Sequence, residues 1–95
     1  MNFEWDANKA ETNRQKHGVT FQEAATVFQD VDALQIFDPD HSESEDRFIM
    51  LGMSAVLRIL VVCHCYRADD ETIRIISARK ATRNESSTYE RRKGS

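Results

Sequence analysis

Three histidines, two cysteines and a C-terminal run of arginines hold most of the chemical capacity of this 95-residue sequence. Histidine with cysteine first raises a metal site. The densest grouping is Cys63-His64-Cys65, but neighbouring side chains of a strand alternate in direction, so the thiols and the imidazole leave on opposite faces. No C-x-x-C or H-x-x-x-H spacing occurs, and neither a metal nor another cofactor is expected. A Ser or Cys nucleophile has no better support. The G-x-S-x-G elbow is missing and the glycines are too scattered for a phosphate loop. Cys63 and Cys65 lie in an apolar run, which raises a thiol pKa and blunts its reactivity. On one strand face they stand roughly 6–7 Å apart, a poor geometry for a disulfide.

The arginines are the better lead. Arg58, Arg67, Arg74, Arg79 and Arg83, with Lys80 among them, fall on the last strands and the entry to the last helix. Simple alternation sets Arg74 and Arg79 on opposite faces, so the whole set cannot line one site. Arg79 and Arg83 flank a helix N-terminus, where free N–H groups and the dipole favour an anion. A guanidinium fork also matches phosphate oxygens, which makes a phosphodiester a fitting guest. The plain alternative is surface ion pairing, for example Arg83 with Glu85 or Glu90. Cleaving RNA without a metal needs a base for the 2′-OH, an acid for the leaving 5′-oxygen and positive charge on the phosphorane. His17, His64, Glu45 and Tyr89 are the candidates for the proton transfers, and the arginines for the third role. His17 ends a predicted helix, where a cation is favoured, and simple capping of that helix accounts for it equally well.

The elements that must position these residues are legible. Asn2–Trp5 alternates as a short strand, and Asp6 can cap a helix over Ala7–Lys16, closed by His17 and Gly18. Thr20 and Glu23 form a capping box for a second helix, whose apolar face is Phe21, Ala24, Ala25 and Phe28 and which ends near Asp30. The period then switches to two. Strands are predicted at Leu34–Asp38, Arg47–Met53, Leu57–Tyr66 and Thr72–Arg79, with turns at Asp38-Pro39-Asp40 and Ala68–Glu71. A second box, Thr82 and Glu85, opens a last helix to about Arg92. The result is an α+β domain, β-α-α-β-β-β-β-α, with an antiparallel sheet and its helices on one face. In Leu57–Tyr66 the set Leu57, Ile59, Val61, Cys63 and Cys65 is expected under the helices. Arg58, Leu60, Val62, His64 and Tyr66 are expected on a partly open face.

A chain of this length makes one domain, 1–95, with no linker or repeat. An apolar fraction of 40% and a charged fraction of 31% fit a soluble globular protein, the longest apolar run (Ile59–Cys63) cannot span a bilayer, and Met1–Asp6 lacks signal-peptide features. A cytoplasmic protein with reduced thiols is expected. Charge is polarised. Residues 1–46 carry three Lys and Arg against eleven Asp and Glu, a net of −8, while residues 47–95 carry ten against five, a net of +5. Such a basic half calls for an anionic ligand or an acidic partner, although overall acidity argues against tight non-specific binding to duplex DNA.

Three stretches then resemble one family. Phe3-Glu4-Trp5-Asp6 with Asn13 and Lys16-His17-Gly18-Val19-Thr20-Phe21 looks like the opening of BrnT toxins. Glu45-Asp46-Arg47-Phe48 with Leu51-Gly52 resembles the central E-x-R-F…G segment. Ile73 to Glu85, reading I-R-I-I-S-A-R-K-A-T-R-N-E, with Tyr89-Glu90, is similar to the C-terminal signature. The chain departs from the pattern at the turns 54–56 and 68–71, which lack a frequent glycine, and at Asn84, where a basic residue is common. The resemblance implies a RelE-like ribonuclease fold and a bacterial toxin that cleaves RNA and blocks translation. It further implies neutralisation by a BrnA-like antitoxin with a ribbon-helix-helix domain, DNA being reached only through that partner. With the residue chemistry, it points to a metal-independent endoribonuclease. Arg67, Arg79, Arg83, His17 and Glu45 are then the catalytic candidates, and Lys16, Arg47, Lys80 and Tyr89 the substrate-binding ones. The competing class is a non-catalytic module that only complexes a ribbon-helix-helix partner.

Overall fold

In the computed structural model, which describes residues 1–94, the helices and strands follow the expected order. They are β1 (Asn2–Glu4), α1 (Ala7–His17), α2 (Phe21–Thr26), β2 (Leu34–Asp38), β3 (Arg47–Met53), β4 (Ile59–Tyr66), β5 (Thr72–Lys80) and α3 (Arg83–Lys93). Local chemistry sets the ends. The Asp6 carboxylate accepts the Lys9 N–H at 2.9 Å to start α1, and Gly18 closes it at φ 68°. Thr20 Oγ1 accepts the Glu23 N–H, but only this half of the first capping box forms. The Glu23 carboxylate is taken instead by Arg58, and by the Ser54 hydroxyl at 2.7 Å. The second box, Thr82 with Glu85, is complete.

The strands make one five-stranded sheet in the order β1-β5-β4-β3-β2. It is mixed rather than antiparallel throughout, because β1 runs parallel to β5, with Phe3 opposite Ile73. The long excursion through α1, α2 and three strands allows that parallel return, which a tight hairpin cannot make. Between β4 and β5 the register shifts: Cys63 faces Ser77 but His64 faces Ile75, leaving Ile76 as an extra residue. This bulge reverses the parity of β5. Arg74 and Arg79, which plain alternation separates, therefore share one face, across from Cys65 and Val61.

Both faces of the sheet carry apolar packing. Under α1 and α2, Leu60, Val62, Ile75 and Ala78 meet Val19, Phe21, Ala24 and Val27. The β4 set under α1 and α2 is thus the opposite of the expected one, since Leu60, Val62 and His64 lie there fully enclosed, while Val61 and Cys65 are buried on the other face and Leu57 lies outside the strand. The pattern is ambiguous because β4 is apolar on both sides, and its other face is also used. There α3 lays Tyr89 over Leu51 and Val61, so the helices are split between the two faces. On the α2 side, beside Leu60, Gly52 is closely overlaid, and a Cβ there would come within 2.8 Å of Ala33 Cβ and 2.9 Å of Val27 Cγ1.

A buried Asn13 ties α1 to the sheet. Its amide donates to the carbonyls of Val19 and Ala78 at 2.9 and 2.8 Å, and its oxygen accepts the Ala78 N–H at 3.0 Å. These bonds satisfy β5 beyond the point where β1 stops pairing with it, and they bring the C-terminus of α1 beside the bulge. No helix among the described residues is long and apolar enough to cross a membrane.

Candidate functional site

The face of the sheet that carries α3 is only partly covered, and the uncovered part holds a pocket of about 300 Å³. Its floor is Ile49, Val61 and Cys63, three apolar side chains at the centre of the sheet. Its walls are polar: Arg47 from β3, Ser77 and Arg79 from β5, His17 from the end of α1, and Asp38 and His41 from the end of β2 and the turn after it. Three of the residues singled out by sequence, Arg79, His17 and Arg47, therefore meet in one cavity although 62 positions separate His17 from Arg79. A shallower neighbouring hollow, lined by Asn8, Lys9, Thr12, Asn13, Ile76 and Ser77, includes Lys16 and shares His17.

Arg79 is not a bare cation. Its two terminal nitrogens reach Glu85 at 2.7 and 2.9 Å in a bidentate pair. The guanidinium holds the Glu85 carboxyl down at about 2, against the effect of burial and with help from the Thr82 N–H. Glu85 thereby serves two neighbours, capping α3 and orienting Arg79. Arg47 is differently placed. Its nearest carboxylate, Glu45, is 3.7 Å away, and its Nε is buried with no hydrogen-bond partner among the described residues. A buried guanidinium nitrogen without an acceptor is costly unless something supplies one, and a phosphate oxygen can.

The other sequence candidates are dispersed. Arg83, at the first turn of α3, is exposed and near Arg79 in sequence, but it does not line the pocket. Arg67 stands just past β4, roughly 20 Å along the strand from Val61, where it and Arg74 share Glu4 at 3.6 and 2.8 Å. Lys80 faces the α1–α2 side, across from Leu60 and towards Glu23, because it follows Arg79 by one residue. Glu45 is exposed beside Arg47 and Cys65, outside the pocket lining. Tyr89 is buried, its hydroxyl donating to Asp30 at 2.7 Å, and burial with that carboxylate raises its pKa. Its place is the α3 seam.

His64 is likewise internal. Its ring meets Phe28 edge-on at 4.7 Å, its nitrogens lie 3.1 Å from the Val62 carbonyl and 3.0 Å from Gln35 Oε1, and burial lowers its pKa. A neutral core imidazole results. Both cysteines are free thiols whose pKa values burial pushes up, Cys63 on the pocket floor and Cys65 further along β4.

The structure adds a pair that the sequence reading passed over. His41 Nδ1 lies 2.9 Å from Asp38 Oδ2, and both residues line the pocket. The available signal was the D-P-D-H turn, which sets a carboxylate and an imidazole three residues apart; it reads first as a turn, and only the fold aims it at Arg47 and Arg79.

Fold and pocket together define a small α+β protein with a cationic, imidazole-edged cavity on the partly open face of its sheet. The chain belongs to the family of the ribonuclease toxin BrnT of type II toxin–antitoxin systems, which matches residues 5–85. Its fold is that of the crystal structure of the Brucella abortus ribonuclease toxin BrnT, with a TM-score of 0.64 and 26% sequence identity, over 87% of this chain and 99% of that one. No match was found among curated protein sequences. Membership makes the chain the toxin half of a two-component system and implies an antitoxin partner.

Proposed function

We propose that the chain is a metal-independent endoribonuclease that acts in the cytoplasm, inhibits translation by cutting RNA and is neutralised by a BrnA-like ribbon-helix-helix antitoxin. The observation that carries this reading is the meeting of Arg47, Arg79 and His17 around one pocket of about 300 Å³ in a chain of a ribonuclease toxin family. Arg47 and Arg79 bind the scissile phosphate and stabilise the charge that grows on it during in-line attack by the 2′-oxygen. His17 transfers a proton. The exposed Arg83 and Lys16 extend the cationic surface to flanking phosphates, and Glu45 tethers Arg47 at the rim. Arg67 contributes only to a longer RNA track, given its distance from the pocket, and Lys80 and Tyr89 take no part in substrate binding.

The bidentate engagement of Arg79 by Glu85 favours a second reading, in which the basic face is neutralised and serves only to seat a partner. One experiment separates the two. The purified protein is incubated with RNA in EDTA and the product ends are mapped. Cleavage that leaves 2′,3′-cyclic phosphates, lost in a folded Arg79→Ala variant along with growth inhibition, supports the ribonuclease. A strict Mg²⁺ requirement, or full toxicity of Arg79→Ala, overturns the assignment.

A further inference from the structure

We propose that His41, held by Asp38, is the general base that takes the 2′-OH proton in this pocket, and that His17 is the acid facing it. The inference rests on the ribonuclease reading and goes beyond it by assigning the proton transfers. The geometry begins with the turn. Pro39–His41 forms a single helical turn at the end of β2, and Ser42 pins it by donating its hydroxyl to the Asp38 carbonyl at 2.5 Å while accepting the Arg47 N–H at 3.0 Å. The imidazole is thus fixed to the same strand end that presents Arg47.

Within the pair the exposures differ in an informative way. The Asp38 side chain is 12% exposed and the His41 side chain 67%, so the carboxylate is largely removed from solvent while the ring meets it. An ionised carboxylate only accepts, so the proton of the neutral ring sits on Nδ1, 2.9 Å from Asp38 Oδ2. Nε2 then carries the lone pair. This is the tautomer a general base requires, set by a third group as in other His–Asp arrangements. The groups around the ring are Asp40, Glu43 and Arg47 from its own loop and strand, and His17 and Arg79 across the pocket.

The step balances without another reagent. His41 Nε2 takes the 2′-OH proton as the O2′–P bond forms, the P–O5′ bond breaks with its electron pair leaving on O5′, and O5′ takes a proton from His17. The upstream RNA fragment then ends in a 2′,3′-cyclic phosphate and the downstream fragment begins with a 5′-hydroxyl. Asp38 is a positioning residue, stabilising the imidazolium that forms on His41.

The test is steady-state cleavage of a short RNA by wild type, His41→Ala, His17→Ala and Asp38→Asn, with thermal melts alongside. His41→Ala should lose about 100-fold or more in kcat, the usual contribution of general base catalysis, with KM changed less than threefold and Tm retained. Asp38→Asn should lose kcat while keeping KM, which a merely structural loosening would not do. A second substrate carries sulfur in place of the leaving 5′-oxygen, and so needs no acid. On it His17→Ala should recover most of its rate and His41→Ala should stay slow. Full activity of His41→Ala beside an active wild type overturns the inference, as does recovery of His41→Ala rather than His17→Ala on the sulfur substrate. An inactive wild type overturns the ribonuclease reading itself.

Discussion

Replacing Glu85 by Gln removes one charge at the point where the pocket and α3 are joined, and its effect can be worked from the structure. Gln is isosteric and can still accept the Thr82 N–H, so the capping geometry survives and the ion pair to Arg79 is what goes. Lowering the Glu85 pKa from 4.5 to about 2 is equivalent to about 3.4 kcal/mol at about 1.36 kcal/mol per pH unit. That figure is a ceiling, because the two side chains are 32% and 42% exposed and solvent screens them. Screened pairs of this kind retain about 1 kcal/mol, which for a domain this size lowers Tm by roughly 4–8 °C. The sign follows from linkage. A carboxyl whose pKa is depressed by folding contributes fully above its unfolded value and loses that contribution as pH falls through the folded value. The gap between wild type and Glu85→Gln should be full at pH 7 and shrink as the pH falls from the unfolded value of 4.5 towards the folded value of about 2. Thermal unfolding followed by circular dichroism at low salt measures it. An equal gap at pH 7 and pH 3, or none at pH 7, would refute the argument that the charge pair holds α3 to β5.

Other substitutions probe the frame around the site. Asn13→Ala strands the Ala78 N–H and two carbonyls, and should cost about 2–3 kcal/mol in urea unfolding; a loss below 0.5 kcal/mol, taken as roughly the noise of a surface change, would mean water replaces the amide. Gly52→Ala should cost about 1–3 kcal/mol, since its Cβ meets Ala33 and Val27 inside contact distance; an unchanged denaturation midpoint would contradict that crowding. Leu57 adopts φ 65° at an exposed turn. Leu57→Gly should therefore stabilise by about 0.5–1 kcal/mol, the strain relieved less the extra entropy of an unfolded glycine, and a fall in Tm would show that the turn does not need that conformation.

Local signals in the chain announced most of the elements. Asp6, Gly18, Thr20 and the Thr82–Glu85 box act within a few residues, so their effects survive into the fold unchanged. The missing turn glycines were also legible in advance, and the structure shows the consequence at Leu57 and Asp70, both at positive φ. Long-range choices were not legible. The face of β4 could not be read from a strand apolar on both sides, and the parity of β5 could not be read without the bulge at Ile76.

The sequence by itself determined the α+β composition, the family signature and the arginine and histidine types the site uses, because these depend on residue identity and on spacing within single elements. Tertiary structure alone decided which of them meet. The Ile76 bulge turns Arg79 to the face of Arg47, Asn13 draws His17 to the edge of that face, and the turn after β2 adds Asp38 and His41. The same packing buries Tyr89 and His64 and sends Lys80 to the far side. Assembly of a pocket is a property of register and layer, and those are fixed by contacts between residues far apart in the chain.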